Sequence, residues 1–284
     1  MFEKALKGSV TDSVRIPNHQ LIKKDYMASL SALVIARNES ANIAECIKSM
    51  QDIADEIIIL DGGSTDDTVK IAEGFGARVV HHPEWEGYGK QRQKLQNYAT
   101  CDWCLWLDAD ERLTDELRHE IREFIEKARQ NEVLNISRAN HVFGVRIHHC
   151  GYFPDRVYRV HYRTYTKYND SLVHEKLDLP SDAVTVNSKN SMIHYTYATY
   201  QNLLFKQTKY ADEWAKNRYQ KKHKGCCFIT PFVKAAFAFF RMYFLQLGFL
   251  DGRMGFLISA CASSYTFNKY LCLYQIALEH SRKK

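Results

Sequence analysis

The stretch Leu105-Trp106-Leu107-Asp108-Ala109-Asp110-Glu111 decides the fold of this 284-residue chain. Its apolar run, which begins at Trp103, ends in three carboxylates. Such a run predicts a buried parallel strand whose carboxyl end opens into a crevice, where open α/β sheets bind ligands. Asp108 and Asp110 are spaced so that both can reach one hard divalent cation, Mg²⁺ or Mn²⁺. The alternative is a strand followed by the acidic N-terminus of a helix, which has the same pattern and binds no metal.

Strands and helices alternate before this stretch. Apolar runs over Leu30–Ala36, 56–60 and Arg78–His81 predict three more strands, and helical patterns separate them. Right-handed crossovers and a mostly parallel sheet are therefore expected. Neither a dinucleotide-binding glycine pattern nor a Walker sequence occurs. The polar segments that follow three of the strands should meet at one edge of the sheet; they are 37–39, 61–63 and 108–111.

The pattern changes from Ile136 to about Tyr197. The runs 142–147, 156–160 and 185–194 alternate and predict added strands and loops rather than further crossover units. We therefore expect an α/β catalytic domain with a helical C-terminal appendage. The expected boundaries are an N-terminal arm at 1–28, a catalytic domain at 29–197 with halves at 29–115 and 116–197, and a helical region at 198–284.

Composition limits the classes of function. The chain is 45% hydrophobic with a net charge of +6, which is typical of a globular protein and fits an anionic substrate or membrane surface. No zinc-finger spacing, RNA-binding aromatic signature or basic arm indicates nucleic acid. The N-terminus shows no apolar signal region, and the eight cysteines do not form a secreted disulfide framework, so a cytosolic location with reduced thiols is expected.

The C-terminal region combines a basic helix with an aromatic-rich apolar run. The basic helix begins near residue 198, and the apolar run covers 226–250, where Lys234 and Arg241 interrupt it. The run is borderline for a membrane-spanning helix. A basic helix followed by an amphipathic aromatic one is typical of interfacial attachment to a membrane. Two buried helices that close the domain remain the alternative.

Three motifs, in order and at crossover spacing, resemble the family 2 glycosyltransferases of the GT-A fold. They are Val-Ile-Ala-Arg-Asn-Glu at 34–39, Ile-Leu-Asp-Gly-Gly-Ser-Thr-Asp at 59–66 and Leu-Asp-Ala-Asp-Glu at 107–111. Later segments resemble a bacterial subgroup that includes the β-1,4-glucosyltransferases of the lipopolysaccharide inner core. These segments are Gly-Tyr-Phe-Pro-Asp at 151–155, Val-His-Glu at 173–175 and Ile-His-Tyr at 193–195.

The resemblance implies a nucleotide-sugar donor bound in the first half, 29–115, and an acceptor bound in the second, 116–197. It implies that Asp61 accepts from the uracil imide and that Lys90 and Arg92 meet the phosphates; a solvated helix face is equally open for these two. The metal ligands would be Asp110 and Asp108, completed by His194, although a lone histidine in an apolar strand is more often structural. The implied donor-binding residues are Ala36, Arg37, Asn38, Glu39, Asp61, Gly62, Lys90, Arg92, Asp108, Ala109 and Asp110.

An inverting transfer needs one base that removes the proton of the acceptor hydroxyl. Glu175 is the candidate, with His174 beside it as an orienting group or alternate base; a strand-end pair without chemistry is the alternative. The chain has Asp-Gly-Gly at 61–63 where many family members have Asp-Asp-Gly, which weakens any strict donor preference. The Gln-x-x-Arg-Trp motif of processive synthases is absent, so a single transfer is expected.

Together these features predict a metal-dependent inverting transfer of one hexose, glucose from UDP-glucose, to an inner-core sugar of lipopolysaccharide such as heptose. The expected location is cytoplasmic and peripheral, on the inner face of the bacterial cytoplasmic membrane, held through the C-terminal helices. Two alternatives remain open. One keeps the fold but changes the acceptor to a polyprenyl phosphate or a protein, and the other is a non-catalytic nucleotide-sugar-binding membrane scaffold.

Overall fold

The structure is a computed structural model that describes residues 28–171 and 175–282. The predicted N-terminal arm, apart from Ala28, and the candidate His174 lie outside the described residues.

The first half of the catalytic region has the predicted alternation of strands and helices. Its four strands pair in parallel in the order β3-β2-β1-β4, so the carboxyl ends of β1, β2 and β4 lie at one edge. The prediction that their following segments converge is confirmed. The elements are β1 (Leu30–Ala36), α1 (Ile43–Lys48), β2 (Glu56–Asp61), α2 (Thr68–Gly74), β3 (Arg78–His81), α3 (Tyr88–Gln96) and β4 (Trp103–Asp108).

The second half extends the same sheet with mixed pairing. It contains β5 (Glu111–Arg112), α4 (Asp115–Lys127), β6 (Glu132–Val142), β7 (Val145–Arg146), β8 (Asp155–Tyr162) and β9 (Val184–Tyr197). β8 joins β4 antiparallel, and the order continues β8-β6-β9-β5, with β7 on β6. The sheet is thus parallel in its first half and mixed in its second.

The run 142–147 contains parts of two strands and a turn rather than one continuous strand. β6 begins ten residues earlier and ends at Val142, and a tight turn with positive φ at Phe143 and Gly144 leads to the short β7. Thr114 caps α4, because its hydroxyl accepts from the backbone N–H of Leu117.

Helices bury both faces of the sheet. One apolar cluster packs α1 and α4 against β1 and β4 around Ile47, Leu105 and Ile121. A second lies on the opposite face around Leu33, Leu95 and Trp106. Alternate residues of β1 and β4 thus enter opposite clusters, which explains the continuous apolar runs of these strands.

The C-terminal region is helical. It comprises α5 (Tyr200–Lys222), α6 (Thr230–Phe240), a π-helical turn (Arg241–Leu245), a 3-10 turn (Gly248–Asp251) and α7 (Gly252–Arg282). Within the described ranges, no single helix is long and apolar enough to span a membrane. The pair Thr230–Leu245 and Gly248–Arg282 meets that test together, by length and composition, but it is bent by 73°.

Candidate active site

Asp108, the last residue of β4, is held by two arginines. Its Oδ1 accepts from Nη2 of Arg92 at 2.6 Å, and its Oδ2 accepts from Nη2 of Arg159 at 2.6 Å. Burial alone would raise the pKa of this carboxyl, but the charges of Arg159 and Arg92 hold the pKa of Asp108 well below its usual range. Asp108 is therefore an anion whose two oxygens are already engaged.

Glu111 fixes the turn that follows β4. Its Oε1 accepts from the same Nη2 of Arg159 at 2.6 Å, and its Oε2 accepts from the backbone N–H of Asp108 at 3.0 Å. Burial raises the pKa of Glu111, and the charge of Arg159 opposes that shift. The side chain is fully buried, so Glu111 positions the loop and has no free face toward a ligand.

Asp110 faces His194 across the open edge of the sheet. The Nδ2 of Asn140 donates to the carbonyl of Tyr152 at 2.7 Å and to Oδ2 of Asp155 at 3.1 Å. The Oδ1 of Asn140 must therefore accept, and Nδ1 of His194, 2.6 Å away, carries the hydrogen. With the hydrogen on Nδ1, the other ring nitrogen, Nε2 of His194, is the one that can ligate a metal, and it lies 3.6 Å from Oδ2 of Asp110.

Two acceptors that face each other at this distance suit a divalent cation. The Asp110 carboxylate and the His194 imidazole could provide two ligands, and the Asn140 contact orients the ring as partners of metal-bound histidines do. Within the described ranges no three His, Cys, Asp or Glu side chains gather around one point. Oxygens of a bound diphosphate and water would therefore have to complete the shell.

Each oxygen of Asp108 accepts from one arginine, and the metal role of this residue stays a prediction. The phosphate role of Arg92 also stays a prediction. Its guanidinium is buried, it donates to Asp108 and Glu175, and it stacks on the rings of Trp106 and Tyr168. Arg92 is thus an internal link between the two carboxylates.

Lys90 is exposed to solvent. It lies on the surface of α3, where its Nζ is 3.9 Å from Oε1 of Glu86. This position agrees with the alternative stated above, in which Lys90 lies on a solvated helix face.

Glu175, the candidate base, lies beside the Asp108 end of the site. Its Oε1 accepts from Nε of Arg92 at 3.0 Å, and the side chain keeps a small exposed fraction. Residues 169–171 are docked on α3, where Gly89 donates its N–H to the carbonyl of Ser171. A Cβ on Gly89 would lie 1.9 Å from the carbonyl oxygen of Asn169, so this approach requires glycine.

The predicted donor-binding segments after β1 and β2 are cross-linked. Asn38, which has a positive φ, accepts on Oδ1 from the backbone N–H of Thr65 at 2.8 Å. The N–H of Gly62 donates to the carbonyl of Ala36 at 2.9 Å. Arg37 is exposed at the tip of the first segment. These contacts form one continuous rim along the edge of the sheet.

Two carboxylates lie within this rim. Burial, together with the nearby charge of Asp110, raises the pKa of Glu39. Asp61 is nearly buried, and its oxygens accept from the backbone N–H groups of Gly63 and Ser64. A carboxylate oxygen has two lone pairs, so Asp61 keeps capacity to accept from a ligand. Its role toward uracil stays a prediction, as does the lining role of Ala109, whose carbonyl accepts from Arg112.

The sequence did not lead us to Arg159 or Asn140 as residues of the site, or to the residues that bond to Asp155. The signal for Arg159 was present, because a cation lies between apolar neighbours in the strand Val157-Tyr158-Arg159-Val160. A charge in such a position is rarely buried without a partner. Nothing in the local pattern marked Asn140.

Comparison with known proteins agrees with this architecture. The family model described as Glycosyl transferase family 2 matches residues 31–176, more than half of the chain. The chain belongs to this glycosyltransferase family, and its fold is the GT-A fold.

Several full-length relatives are similar. A protein of Rickettsia felis described as an uncharacterized glycosyltransferase is 29% identical and covers 88% of this chain and 90% of its own length. The lipopolysaccharide core biosynthesis glycosyltransferase LpsC of Rhizobium meliloti is 28% identical, covering 87% of this chain and 92% of its own length.

Among solved structures, glucosyl-3-phosphoglycerate synthase of Mycobacterium tuberculosis, in complex with Mn²⁺, UDP and glucosyl-3-phosphoglycerate, is 24% identical with a TM-score of 0.34. The match covers 40% of this chain and 45% of that chain, so this chain spans less than half of the solved protein.

Proposed function

We propose that this glycosyltransferase moves one hexose, glucose from UDP-glucose, with inversion and with a divalent metal, to an inner-core sugar of a lipopolysaccharide-type acceptor. The observation that supports it is the arrangement at the sheet edge: a metal-competent pair, Asp110 and His194, and a separate carboxylate, Glu175, oriented by a buried arginine. The relationship to LpsC favours the acceptor class.

The residues divide the chemistry between two ends of the site. Asp110 and His194 would hold Mg²⁺ or Mn²⁺, which supplies Lewis-acid stabilisation to the departing diphosphate. The rim formed by residues 36–39 and 61–65 would bind the nucleoside. Glu175 would take the proton from the acceptor hydroxyl as its oxygen attacks the anomeric carbon. Arg92 holds Glu175 by one oxygen, Oε1, and leaves Oε2 available for that proton.

The donor assignment is tested by thermal shift with UDP, GDP and their common sugars, each with Mn²⁺ and with EDTA. A ligand that binds only the folded state raises its stability by an amount that grows with the logarithm of its concentration relative to Kd. We expect a shift with UDP-glucose that disappears in EDTA. The absence of a shift with every sugar nucleotide, in a folded sample, would contradict the donor assignment and favour the scaffold alternative.

The acceptor assignment needs a second assay. Transfer of labelled glucose should occur to lipopolysaccharide core acceptors that lack the outer sugars, and not to polyprenyl phosphate or to peptide. Anomeric analysis of the product by NMR should show the inverted linkage. Transfer to polyprenyl phosphate or peptide alone would overturn the acceptor while leaving the donor site intact.

A further inference from the structure

Exposed apolar side chains are concentrated where the C-terminal helices turn. We call residues 240–257 the apolar bend; it joins the end of α6 to the first turns of α7. Leu245 and Leu250 are 62% and 58% exposed. Soluble monomers rarely expose contiguous apolar surface of this kind unless it contacts a partner or a membrane. The exposed apolar residues of the bend are Phe240, Phe244, Leu245, Leu247, Phe249, Leu250, Phe256 and Leu257.

The backbone of the apolar bend is fixed to the catalytic domain. The carbonyl of Gln246 accepts from the N–H of Cys150 at 2.9 Å, and Oδ2 of Asp251 accepts from the N–H of His149 at 2.8 Å. A Cβ on Gly255 would lie 1.7 Å from the carbonyl oxygen of Gly248, so the two turns touch through glycine. The apolar side chains therefore face outward from a backbone that is held in place.

The exposed charged side chains between residues 225 and 278 are positive. Between residues 225 and 278 the chain has a single carboxylate side chain, Asp251. It is 6% exposed and also bonds to the imidazole of His149. The cations Lys234, Arg241 and Arg253 are exposed. An apolar surface with only cations around it is complementary to a bilayer that contains anionic lipids.

An open groove of about 500 Å³ lies on the apolar bend. Its walls are the side chains of Tyr243, Phe256 and Leu257, and Arg253 lies at its edge. Within the part of the chain that the structure describes, no carboxylate pairs with Arg253. A lipid fits such a site when its acyl chain lies in the apolar groove and its phosphate meets the unpaired guanidinium of Arg253.

The loop that supports the bend also supports the candidate active site. Its residue Tyr152 accepts, through its carbonyl, from Asn140, which orients His194 opposite Asp110. A short run of contacts therefore joins the bend to the metal-competent pair.

We propose that the apolar bend docks on the surface of an anionic lipid bilayer, with the Arg253 groove taking one phosphate-bearing lipid. This goes beyond the proposed function, because it holds for any donor or acceptor. Because the bend and the site share one supporting loop, docking would also hold the catalytic domain against the bilayer.

The test is flotation of the full chain with vesicles of phosphatidylcholine alone and of phosphatidylcholine with phosphatidylglycerol. We expect binding to the anionic vesicles and a loss of roughly tenfold or more in the double variant L245S/L250S. The matched control is L271S/L278S, which removes two exposed leucines from the far part of α7. It should bind as the wild type does. R253Q should lower the preference for anionic vesicles.

Circular dichroism and thermal unfolding establish that each variant is folded. Absence of vesicle binding by the wild type, or equal losses in the two leucine pairs, would overturn the proposal. So would wild-type self-association that L245S/L250S abolishes without any vesicle binding, because a second copy would then cover the bend. Equal binding of R253Q and wild type to both vesicles would overturn the groove assignment. Vesicle binding is measured without donor or acceptor, so its outcome is independent of the proposed reaction.

Discussion

Arg92 donates from Nε to Oε1 of Glu175 across 3.0 Å, and the same guanidinium holds Asp108 through Nη2. One buried cation thus joins the candidate base to the end of the central strand. The two carboxylates come from segments far apart in sequence, and Arg92 reaches both from α3. The position of Glu175 relative to the metal-competent edge therefore depends on this arginine.

Replacing Arg92 should impair chemistry more than donor binding. In Arg92→Gln we expect kcat to fall roughly 100-fold, with a smaller change in the KM for donor, because Glu175 loses the contact that orients it. Removing one member of a buried ion pair also costs about 3 kcal/mol of unfolding free energy. Steady-state kinetics and urea unfolding measure the two effects.

Arg92→Lys should recover part of the stability but little of kcat, since a single ammonium cannot reproduce the two-sided guanidinium contact. The exposed Arg129 supplies the matched control, and Arg129→Gln should behave as the wild type does. A wild-type kcat in Arg92→Gln would show that Glu175 needs no orientation by this residue.

Asp110→Asn should abolish transfer and leave the fold intact. Among the residues that the structure describes, the ion pair of the Asp110 side chain is the 3.6 Å approach to His194, so little stability depends on it. We expect a loss on the order of 10³-fold in kcat/KM together with loss of the Mn²⁺-dependent thermal shift with UDP. Asp115→Asn, at an exposed position of α4, is the control. Full activity in Asp110→Asn would rule out its metal role.

Asn140 should influence metal binding without touching the metal. Its Oδ1 sets the tautomer and ring orientation of His194. Loss of such a contact lowers metal affinity by roughly 10- to 100-fold. A Mn²⁺ titration of Asn140→Ala, followed by calorimetry in the presence of UDP, should show this decrease. An unchanged Mn²⁺ affinity would mean that His194 is a structural residue of β9.

The strands of the parallel half could be predicted from the sequence to within about two residues, because β1, β2 and β4 are continuous apolar runs between helical patterns. β6 could not be placed in the same way. It contains Asn135, Ser137, Arg138 and Asn140, and several of these are satisfied by partners on β8 and in the loop before it. The hydrophobic periodicity of a segment gives no information about such partners, because they come from other elements of the fold.

The same limit applies to the site. The motifs indicated Asp108, Asp110 and Glu175, but Asp108 owes its state to Arg159, 51 residues away in sequence. The arginines that surround a carboxylate are those that the fold brings to it. The Asp-x-Asp pattern gives no sign of them, so only the three-dimensional arrangement shows them.

His161 should make the stability of the protein pH-dependent. The ring is fully buried; its Nε2 accepts from Nε1 of Trp106 at 3.0 Å, and its Nδ1 is 3.0 Å from the carbonyl of Tyr162. Both ring nitrogens are thus satisfied in the neutral form, and burial lowers the pKa of His161 to about 4 from its ordinary value of 6.5.

Because the folded state holds this proton less tightly than the unfolded state, the stabilisation is fully present above the unfolded pKa and is lost as pH falls from about 6.5 toward 4. Between about pH 7 and pH 5, His161 should account for a loss on the order of 2 kcal/mol of unfolding free energy. His161→Gln, which keeps an acceptor for Trp106, should flatten this dependence in urea unfolding. His119→Gln, at an exposed site of α4, should not. An NMR titration that shows His161 protonated near pH 6 would contradict the prediction, because a charged ring could not accept from the indole.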